Sequence, residues 1–227
     1  MDLNNDPSLR VCVDTTTLDW VPSPAAGVDR KMIQRQGEEM ARATSLVRYE
    51  ADSRFTPHRH DEGEEFFVLE GTFADQHGHY PPGTYVRNPP GSSHAPFTET
   101  GCTIFVKLRH FADEDRTRHV IDTRNGRWLP GPAAGIDVQP LPGFGSERVA
   151  LVRWARGARL PPQDRPDGEE IFVIDGAFAD EQGRYRAECW LRLPKGSRYT
   201  PSTVDGCLFL SKTGHLGVLD DASDDGR

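Results

Sequence analysis

Short apolar segments separated by glycine, proline and polar residues recur along the whole chain. Glu65–Glu70, Thr84–Arg87 and Thr103–Lys107 are rich in Val, Phe, Ile and Tyr, and Gly or Pro flanks them. Such segments are typical of short β-strands joined by turns. Residues 28–43 invite a helical interpretation, but their apolar positions are too sparse for an amphipathic helix. The pattern therefore predicts an all-β fold.

The strand pattern occurs twice. Residues 63–80, GEEFFVLEGTFADQHGHY, return as GEEIFVIDGAFADEQGRY at residues 168–185, an offset of 105 without a gap. Upstream, DTTTLDWVPSPAAG at residues 14–27 returns as DTRNGRWLPGPAAG at residues 122–135, an offset of 108. Self-similarity on this scale indicates that one structural unit is present in two copies.

Each copy has the length of a small domain, about 100 residues. We predict two compact β-barrels or sandwiches, residues 1–115 and residues 116–227. The charged and weakly apolar residues 110–119 are the expected link. The acidic residues 219–227 are expected to fray, as chain ends commonly do.

Composition and charge narrow the classes of function. The 227 residues carry a net charge of −8, which argues against binding to nucleic acid or to an acidic membrane surface. No stretch approaches 18 consecutive apolar residues, and the start MDLNNDPSLR lacks the features of a signal peptide. We therefore expect a cytoplasmic protein that spans no membrane.

The cysteines show no CxxC spacing that would indicate a zinc site or a redox motif. In a reducing compartment such residues are usually buried thiols, not disulfides. We predict this state for all four: Cys12, Cys102, Cys189 and Cys207.

Three polar residues at the start of an apolar segment, and a fourth further along the chain, are candidate metal ligands. His58 and His60 are two positions apart and would share one face of a strand. Glu64 would lie on the same face if the residues between His60 and Glu64 preserve the alternation of the strand. A Pro-Gly turn directly precedes His94. Three imidazoles and one carboxylate suit a divalent transition metal, which would offset the cost of burying them. The second H-x-H pair, His77 and His79, lies in an expected hairpin turn and is interpreted as solvated.

These residues carry a resemblance to the cupin superfamily. HRHDEGEEFFVLEG fits the pattern H-x-H-x(3)-E-x(6)-G through His58, His60, Glu64 and Gly71. GTYVRNPPGSSH fits G-x(5)-P-x-G-x(2)-H through Gly83, Pro89, Gly91 and His94, while Thr98 stands where an Asn often follows. The details most resemble the cupin domain of ChrR-type anti-sigma factors. The resemblance covers nearly the whole chain as two fused cupins, and it implies a jelly-roll-like β-barrel per copy with one metal in the first.

The second copy departs from this pattern at three of the four ligand positions. At the offset of 105, the histidines are replaced by Gln163, Arg165 and Tyr199, and only the carboxylate persists, as Glu169. An arginine is a fixed cation and cannot ligate a metal. We expect Arg165 to pair with Glu169, in a barrel that is structural or that holds a pocket without metal.

Two functions of different classes are compatible with the resemblance. Some stand-alone proteins similar to this cupin type are iron-dependent dioxygenases that cleave a carbon–carbon bond beside a ketone. Phe66, Val68 and Phe97 could line the dry pocket that such chemistry needs. The metal would be zinc or iron, with manganese and nickel as further options, because this ligand set accommodates several ions.

The alternative is a regulatory or stress-sensing protein without catalysis, similar to ChrR-type anti-sigma factors. Those factors carry a separate zinc-binding N-terminal module with a His and Cys cluster. Residues 1–50 contain no His and only Cys12, so we expect no such module in this sequence. In either case the expected partner is a small-molecule ligand or substrate, and by resemblance to paired single-domain cupins a homodimer is possible.

Overall fold

The computed structural model describes residues 1–38 and 40–216, and in these residues the predicted all-β fold is confirmed. Their helical segments are two single 3-10 turns, Thr15–Thr17 and Thr123–Asn125. Within the described residues, no helix has the length and apolar character needed to cross a membrane. The acidic end expected to fray, residues 219–227, lies outside the described residues.

The strands of the first half of the chain include all three segments predicted from the apolar pattern, as the eighth, eleventh and fourteenth strands. They are β1 (Asp2–Leu3), β2 (Val11–Asp14), β3 (Val21–Pro22), β4 (Val28–Gln36), β5 (Arg42–Tyr49), β6 (Ser53–Arg54), β7 (His58–His60), β8 (Glu64–Gly71), β9 (Phe73–Asp75), β10 (Gly78–Tyr80), β11 (Thr84–Asn88), β12 (Ser92–His94), β13 (Phe97–Thr98) and β14 (Cys102–Leu108).

The strands of the second half repeat this succession of short elements. They are β15 (His119–Asp122), β16 (Leu129–Pro130), β17 (Ile136–Leu141), β18 (Arg148–Trp154), β19 (Gln163–Arg165), β20 (Glu169–Asp180), β21 (Gly183–Arg186), β22 (Cys189–Leu193), β23 (Ser197–Tyr199) and β24 (Cys207–Thr213).

The first compact unit comprises residues 1–5 and 18–126. Its large sheet has the order β1-β4-β5-β14-β8-β11-β15, and β3 pairs with β4. A four-stranded sheet, β10-β9-β13-β6, and the pair β12-β7 complete the unit. The apolar core includes Phe66, Val68 and Val106 of the large sheet together with Phe73 and Tyr80 of the four-stranded sheet. The core therefore joins the two sheets.

Within the described residues, the second compact unit comprises residues 6–17 and 127–216. Its large sheet has the order β16-β17-β18-β24-β20-β22-β2, β21 pairs with β20, and β19 pairs with β23. Its core is built in the same way, with Trp154, Phe178 and Phe209 in mutual ring contact at centroid distances of 5.6–6.4 Å.

The compact units differ from the two sequence copies by one strand each. Strand β2 pairs with β22 in the second unit, and β15 pairs with β11 in the first unit. Strand β2 of the first sequence copy thus belongs to the second unit, and strand β15 of the second copy belongs to the first unit. The repeat alone could not reveal this exchange, because equivalent strands look alike wherever they pair.

The motif glycine that ends the first central strand has a steric reason. Gly71 has φ +67°, and a Cβ atom there would lie 1.9 Å from the carbonyl oxygen of Gly101. Its counterpart Gly176 has φ +71°, and a Cβ atom would lie 2.3 Å from the Gly206 oxygen. A side chain at either position would clash with the neighbouring backbone, since only glycine combines this φ with so close an approach.

The cysteines are free thiols in the structure, and three of them, Cys102, Cys189 and Cys207, are buried as predicted. The prediction is wrong for Cys12, which is exposed. Among the described residues its strand β2 pairs with β22 alone and forms the edge of the sheet.

An arginine ahead of each exchanged strand binds the same pair of side chains in its unit. In the second unit, Arg10 Nη2 lies 2.5 Å from Asp180 Oδ2 and donates to the Tyr185 hydroxyl at 2.6 Å. In the first unit, Arg118 donates to Tyr80 at 2.8 Å and lies 3.8 Å from Asp75. The Asp180 side chain is 0% exposed, so its charge depends on these partners.

We predict that Arg10→Ala destabilises the protein, because it leaves the buried Asp180 carboxylate without its cation. The free energy of unfolding should fall by about 1–3 kcal/mol, the cost of an unsatisfied buried polar group. Urea unfolding followed by circular dichroism measures this change. The control Arg59→Ala removes an exposed ion pair with Asp61 and should leave stability nearly unchanged. Equal stability of both variants would contradict the importance of the Arg10 contact.

Candidate metal centre

The pairing of two three-residue strands brings the motif histidines together. In the antiparallel register of β7 and β12, His58 lies opposite His94, and His60 lies opposite Ser92. The turn after β7 and the turn before β12 are both held by the His60 carbonyl oxygen. This oxygen accepts hydrogen bonds from the backbone N–H groups of Gly63, at 3.3 Å, and Gly91, at 2.8 Å. The sequence thus places three imidazoles on adjacent strands.

The three imidazole rings surround one point. Each pair of ring centroids among His58, His60 and His94 is 4.9 Å apart, and the ring planes meet at 72–73°. One nitrogen of each ring lies within 4.8 Å of the corresponding nitrogens of the others. A transition metal binds imidazole nitrogen at about 2.0–2.1 Å, so modest ring rotations would place all three on one ion.

Glu64 borders the histidine triad and is held by its neighbour across the sheet. Its Oε2 atom lies 3.5 Å from His60 Nε2 and 3.7 Å from His94 Nε2. Asn88 is the register partner of Glu64 on β11 and donates to the same oxygen at 3.0 Å. Arg118 Nε in turn donates to Asn88 Oδ1 at 3.0 Å. The fourth predicted ligand is therefore adjacent to the triad, with its carboxylate oriented by a buried amide.

The outer nitrogens of two rings have hydrogen-bond acceptors. His94 Nδ1 lies 3.4 Å from Asp75 Oδ2, and His58 Nδ1 lies 3.1 Å from the Thr56 carbonyl oxygen. These partners favour the tautomers with the proton on Nδ1, which leaves Nε2 as the ligand atom. Orientation of a ligand imidazole through its second nitrogen is the usual outer support of protein metal sites.

Burial and hydrogen bonds set the charge states around the centre. Burial lowers the pKa of His60 below its ordinary value, although the Glu64 carboxylate acts in the opposite direction. Burial alone would raise the pKa of Asp75, but hydrogen bonds from His94, Tyr80 and the His77 backbone N–H lower it to about 2. At neutral pH the ring of His60 is therefore neutral, as metal binding requires, and Asp75 is a carboxylate.

The four candidate ligands differ in their exposure to solvent. His94 is 4% exposed and Glu64 is 5% exposed, whereas His58 is an exposed residue and His60 is half-buried. We expected all four polar groups to be buried, and this is wrong for His58, because the short strand β7 pairs with β12 alone among the strands of the described residues. The centre is therefore open on the His58 side.

The three expected pocket residues have different surroundings. Phe66 and Val68 lie in the apolar core, and Phe66 contacts Phe73 at a centroid distance of 4.8 Å. Phe73 in turn lies 5.9 Å from the His94 ring, so it joins the core to the triad. Phe97 is half-buried and packs on His79 at 5.6 Å, beneath the Arg54 guanidinium.

The second H-x-H pair behaves as predicted. His77 and His79 are both exposed on the hairpin. The H-x-H spacing alone therefore does not separate the two pairs. The glutamate and the glycine that follow the first pair distinguish it from the second.

The residues whose hydrogen bonds support the candidate ligands were not identified from the sequence. Asp75 and Tyr80 recur in the second copy as Asp180 and Tyr185, which was a visible signal that we did not interpret. Asn88 gave a different signal, because Leu193 replaces it in the copy that has lost the ligands. The contribution of Arg118 depends on the strand exchange, so no local pattern indicates it.

In the second unit an ion pair occupies the equivalent position, as predicted. Arg165 Nε lies 2.5 Å from Glu169 Oε2, and its Nη2 donates to the Tyr199 hydroxyl at 3.1 Å. Tyr199 and Ser211 also donate to Glu169, at 3.1 and 2.6 Å. Gln163 Nε2 donates to the carbonyl oxygen of Pro161 at 2.8 Å. The carboxylate is thus neutralised by a fixed cation where the first unit has imidazoles.

Comparison with solved structures identifies the fold of both units. A "putative dioxygenase" from Nostoc punctiforme superposes with a TM-score of 0.73 at 16% identity, over 90% of this chain and 82% of its own. An oxalate decarboxylase variant from Bacillus subtilis gives 0.63 at 12% identity, over 89% and 76%. The Escherichia coli pirin YhhW in complex with nickel(II) gives 0.66 at 12% identity, over 90% and 98%. At such identities these likenesses concern the fold alone.

Sequence comparison assigns the family. No curated protein sequence matches the chain. The sequence model of the ChrR Cupin-like domain matches residues 8–112 and again residues 116–217, which together cover most of the chain. The chain therefore belongs to the ChrR Cupin-like domain family and contains two tandem cupin domains.

Proposed function

We propose that the first cupin barrel holds one divalent transition metal through His58, His60, Glu64 and His94. The observation that carries this proposal is the equal spacing of the three imidazole rings around one point, with the Glu64 carboxylate beside them. The Nε2 atoms of His60 and His94 lie 2.9 Å apart, close to the separation of two nitrogens bound at right angles to one ion at about 2.0–2.1 Å. Three nitrogens and one oxygen suit zinc or iron, and also manganese or nickel.

The protein should bind one metal ion per chain, and His58→Ala should weaken that binding. This ligand is exposed, so its loss should leave folding intact. Affinity should fall by more than about tenfold, since even the loss of an outer supporting residue has an effect of this size. Elemental analysis after dialysis against a competing chelator measures the occupancy.

The matched control is His79→Ala, which removes an exposed histidine of the other H-x-H pair. This variant should keep one metal ion per chain. Two ions per chain in the unmodified protein, or equal occupancy in both variants, would show that the ligand assignment is wrong.

We further propose that the first barrel is a dioxygenase acting on a small ketone or diketone. Four protein ligands leave one or two coordination positions open, and the exposed side at His58 gives a substrate access. When bound, a redox-active metal would supply O2 activation and polarisation of the ketone. The fold likeness to the Nostoc protein supports this activity only as an analogy.

The residues of the chain would divide the remaining tasks. Asp75 and Asn88 orient His94 and Glu64, so that the ligands need little rearrangement. Phe73, next to the His94 ring, would exclude water on the core side, together with Phe66 and Val68. Phe97 would lie at the rim, with Arg54 above its ring available to an anionic substrate.

Iron-loaded protein should consume O2 only when a suitable small ketone is present, and it should do so over many turnovers. Oxygen-electrode traces over a panel of diketones and hydroxyketones provide the measurement, with zinc-loaded protein as the redox-inert control. Glu64→Gln should change the turnover rate more than the stability, because the neutral amide alters the charge at the metal while keeping the shape.

A single oxidation event per chain, with loss of metal and no turnover, would instead favour the stress-sensing alternative. Flat traces for every iron-loaded sample would remove the dioxygenase proposal. Neither outcome bears on the metal stoichiometry before oxidation, which the elemental analysis tests separately.

A further inference from the structure

The second barrel, which lacks the histidines, contains a cavity of its own. Strands β17, β18 and β24 turn one face toward a space of about 240 Å³. Its apolar wall includes Ile136, Val152, Trp154, Leu160 and Phe209. The volume corresponds to about eight water molecules of about 30 Å³ each. It therefore suits a compact molecule with an apolar body.

One end of the cavity is lined by Arg165 and Glu169, which form the ion pair of the second unit. Both oxygens of Glu169 are engaged, by Arg165, Tyr199 and Ser211. A carboxylate with these partners has little capacity left to accept a hydrogen bond from a ligand or to act as a base. Arg165 uses three of its five N–H donors, on Glu169, Tyr199 and the Asp164 carbonyl, and so retains donor capacity. The charged donors at the polar end therefore have capacity left for an anion, whereas the Glu169 carboxylate is already engaged.

A second cation lines the cavity without a counter-charge. Arg148 shares one face of β18 with Ala150, Val152 and Trp154, and all four line the cavity. Its guanidinium donates through Nη1 to the carbonyl oxygens of Gly145 and Glu147, at 2.8 Å each. In the described part of the chain, Arg148 forms no ion pair. With Arg165 neutralising Glu169, the net charge of the lining is +1.

A buried donor in the wall also lacks a partner. The indole Nε1 of Trp154 is buried and has no hydrogen-bond partner among the described residues. Trp154 itself is 4% exposed and lines the cavity. Buried indole N–H groups usually find an acceptor. The wall therefore has an unsatisfied donor at the Trp154 end, six residues along β18 from Arg148.

From these features we infer that the second barrel binds a small monocarboxylic acid with an apolar body, in a site that needs no metal. The carboxylate would be bound by Arg148 and the remaining Arg165 donors, and the body would fill the space beside Trp154 and Phe209. Burial of the apolar body would supply most of the affinity, and the arginines would supply selectivity for an anion. The second barrel would then be a ligand-recognition domain and not only a structural copy.

The test uses benzoate as the probe and benzamide as its uncharged counterpart of equal size. Calorimetric titration of the full chain, after removal of metal with a chelator, should show one benzoate bound per chain. Benzamide should bind at least about tenfold more weakly, the loss expected when a charge-assisted hydrogen bond is removed. Arg148→Gln should weaken benzoate binding by a similar factor and leave benzamide binding unchanged.

Three further variants locate the site. Arg153→Gln is the matched control, because Arg153 lies on the same strand, does not line the cavity and pairs with Asp137. It should leave benzoate binding unchanged, whereas Ala150→Leu should abolish it by filling the cavity. His58→Ala should have no effect, which separates this site from the proposed metal centre.

Absence of saturable benzoate binding would overturn the inference, and so would equal affinities for benzoate and benzamide. Benzoate binding that persists in Ala150→Leu, or that disappears in His58→Ala, would place the acid elsewhere and contradict the site. Each of these results leaves the metal proposal for the first barrel untouched.

Discussion

The register between two three-residue strands determines the candidate centre of the first barrel. Because β7 pairs with β12, His58 lies opposite His94, and the side-chain alternation of a strand places His60 on the same side as His58. The neighbouring register of β8 with β11 sets Asn88 against Glu64. A shift of one residue in either pairing would turn ligands away from the centre. The glycine turns that donate to the His60 carbonyl therefore matter for function as well as for the fold.

The two barrels show alternative solutions to one electrostatic problem. Each keeps a buried glutamate at the same position, and a buried carboxylate needs a compensating positive charge. In the second barrel Arg165 supplies that charge from within the chain, with Tyr199 and Ser211 completing the hydrogen bonds. In the first barrel Asn88 supplies only a neutral amide, and the histidines leave room for a cation. The contrast supports a metal in one barrel and a ligand pocket without metal in the other.

The sequence predicted the fold class, the duplication and the proximity of the three histidines, because each leaves a local and periodic signal. The Arg165–Glu169 pair was also predictable, since the duplication aligned it with the motif. The exchange of β2 and β15 was not, because which sheet a strand joins depends on contacts far apart in the chain. For the same reason Arg118 and Arg10 could not be assigned to the Asp–Tyr pairs that they bind. The exposure of His58 likewise depends on which edges of β7 remain unpaired, and its sequence spacing does not encode this.

The account rests on a metal held in the first barrel alone, and anomalous X-ray diffraction from crystals of the metal-loaded protein tests this most directly. Data collected on both sides of the absorption edge locate the ion and identify its element. The account predicts one anomalous peak per chain, among the nitrogens of His58, His60 and His94 and beside Glu64. A peak beside Glu169, or a metal bound only at surface carboxylates, would contradict it.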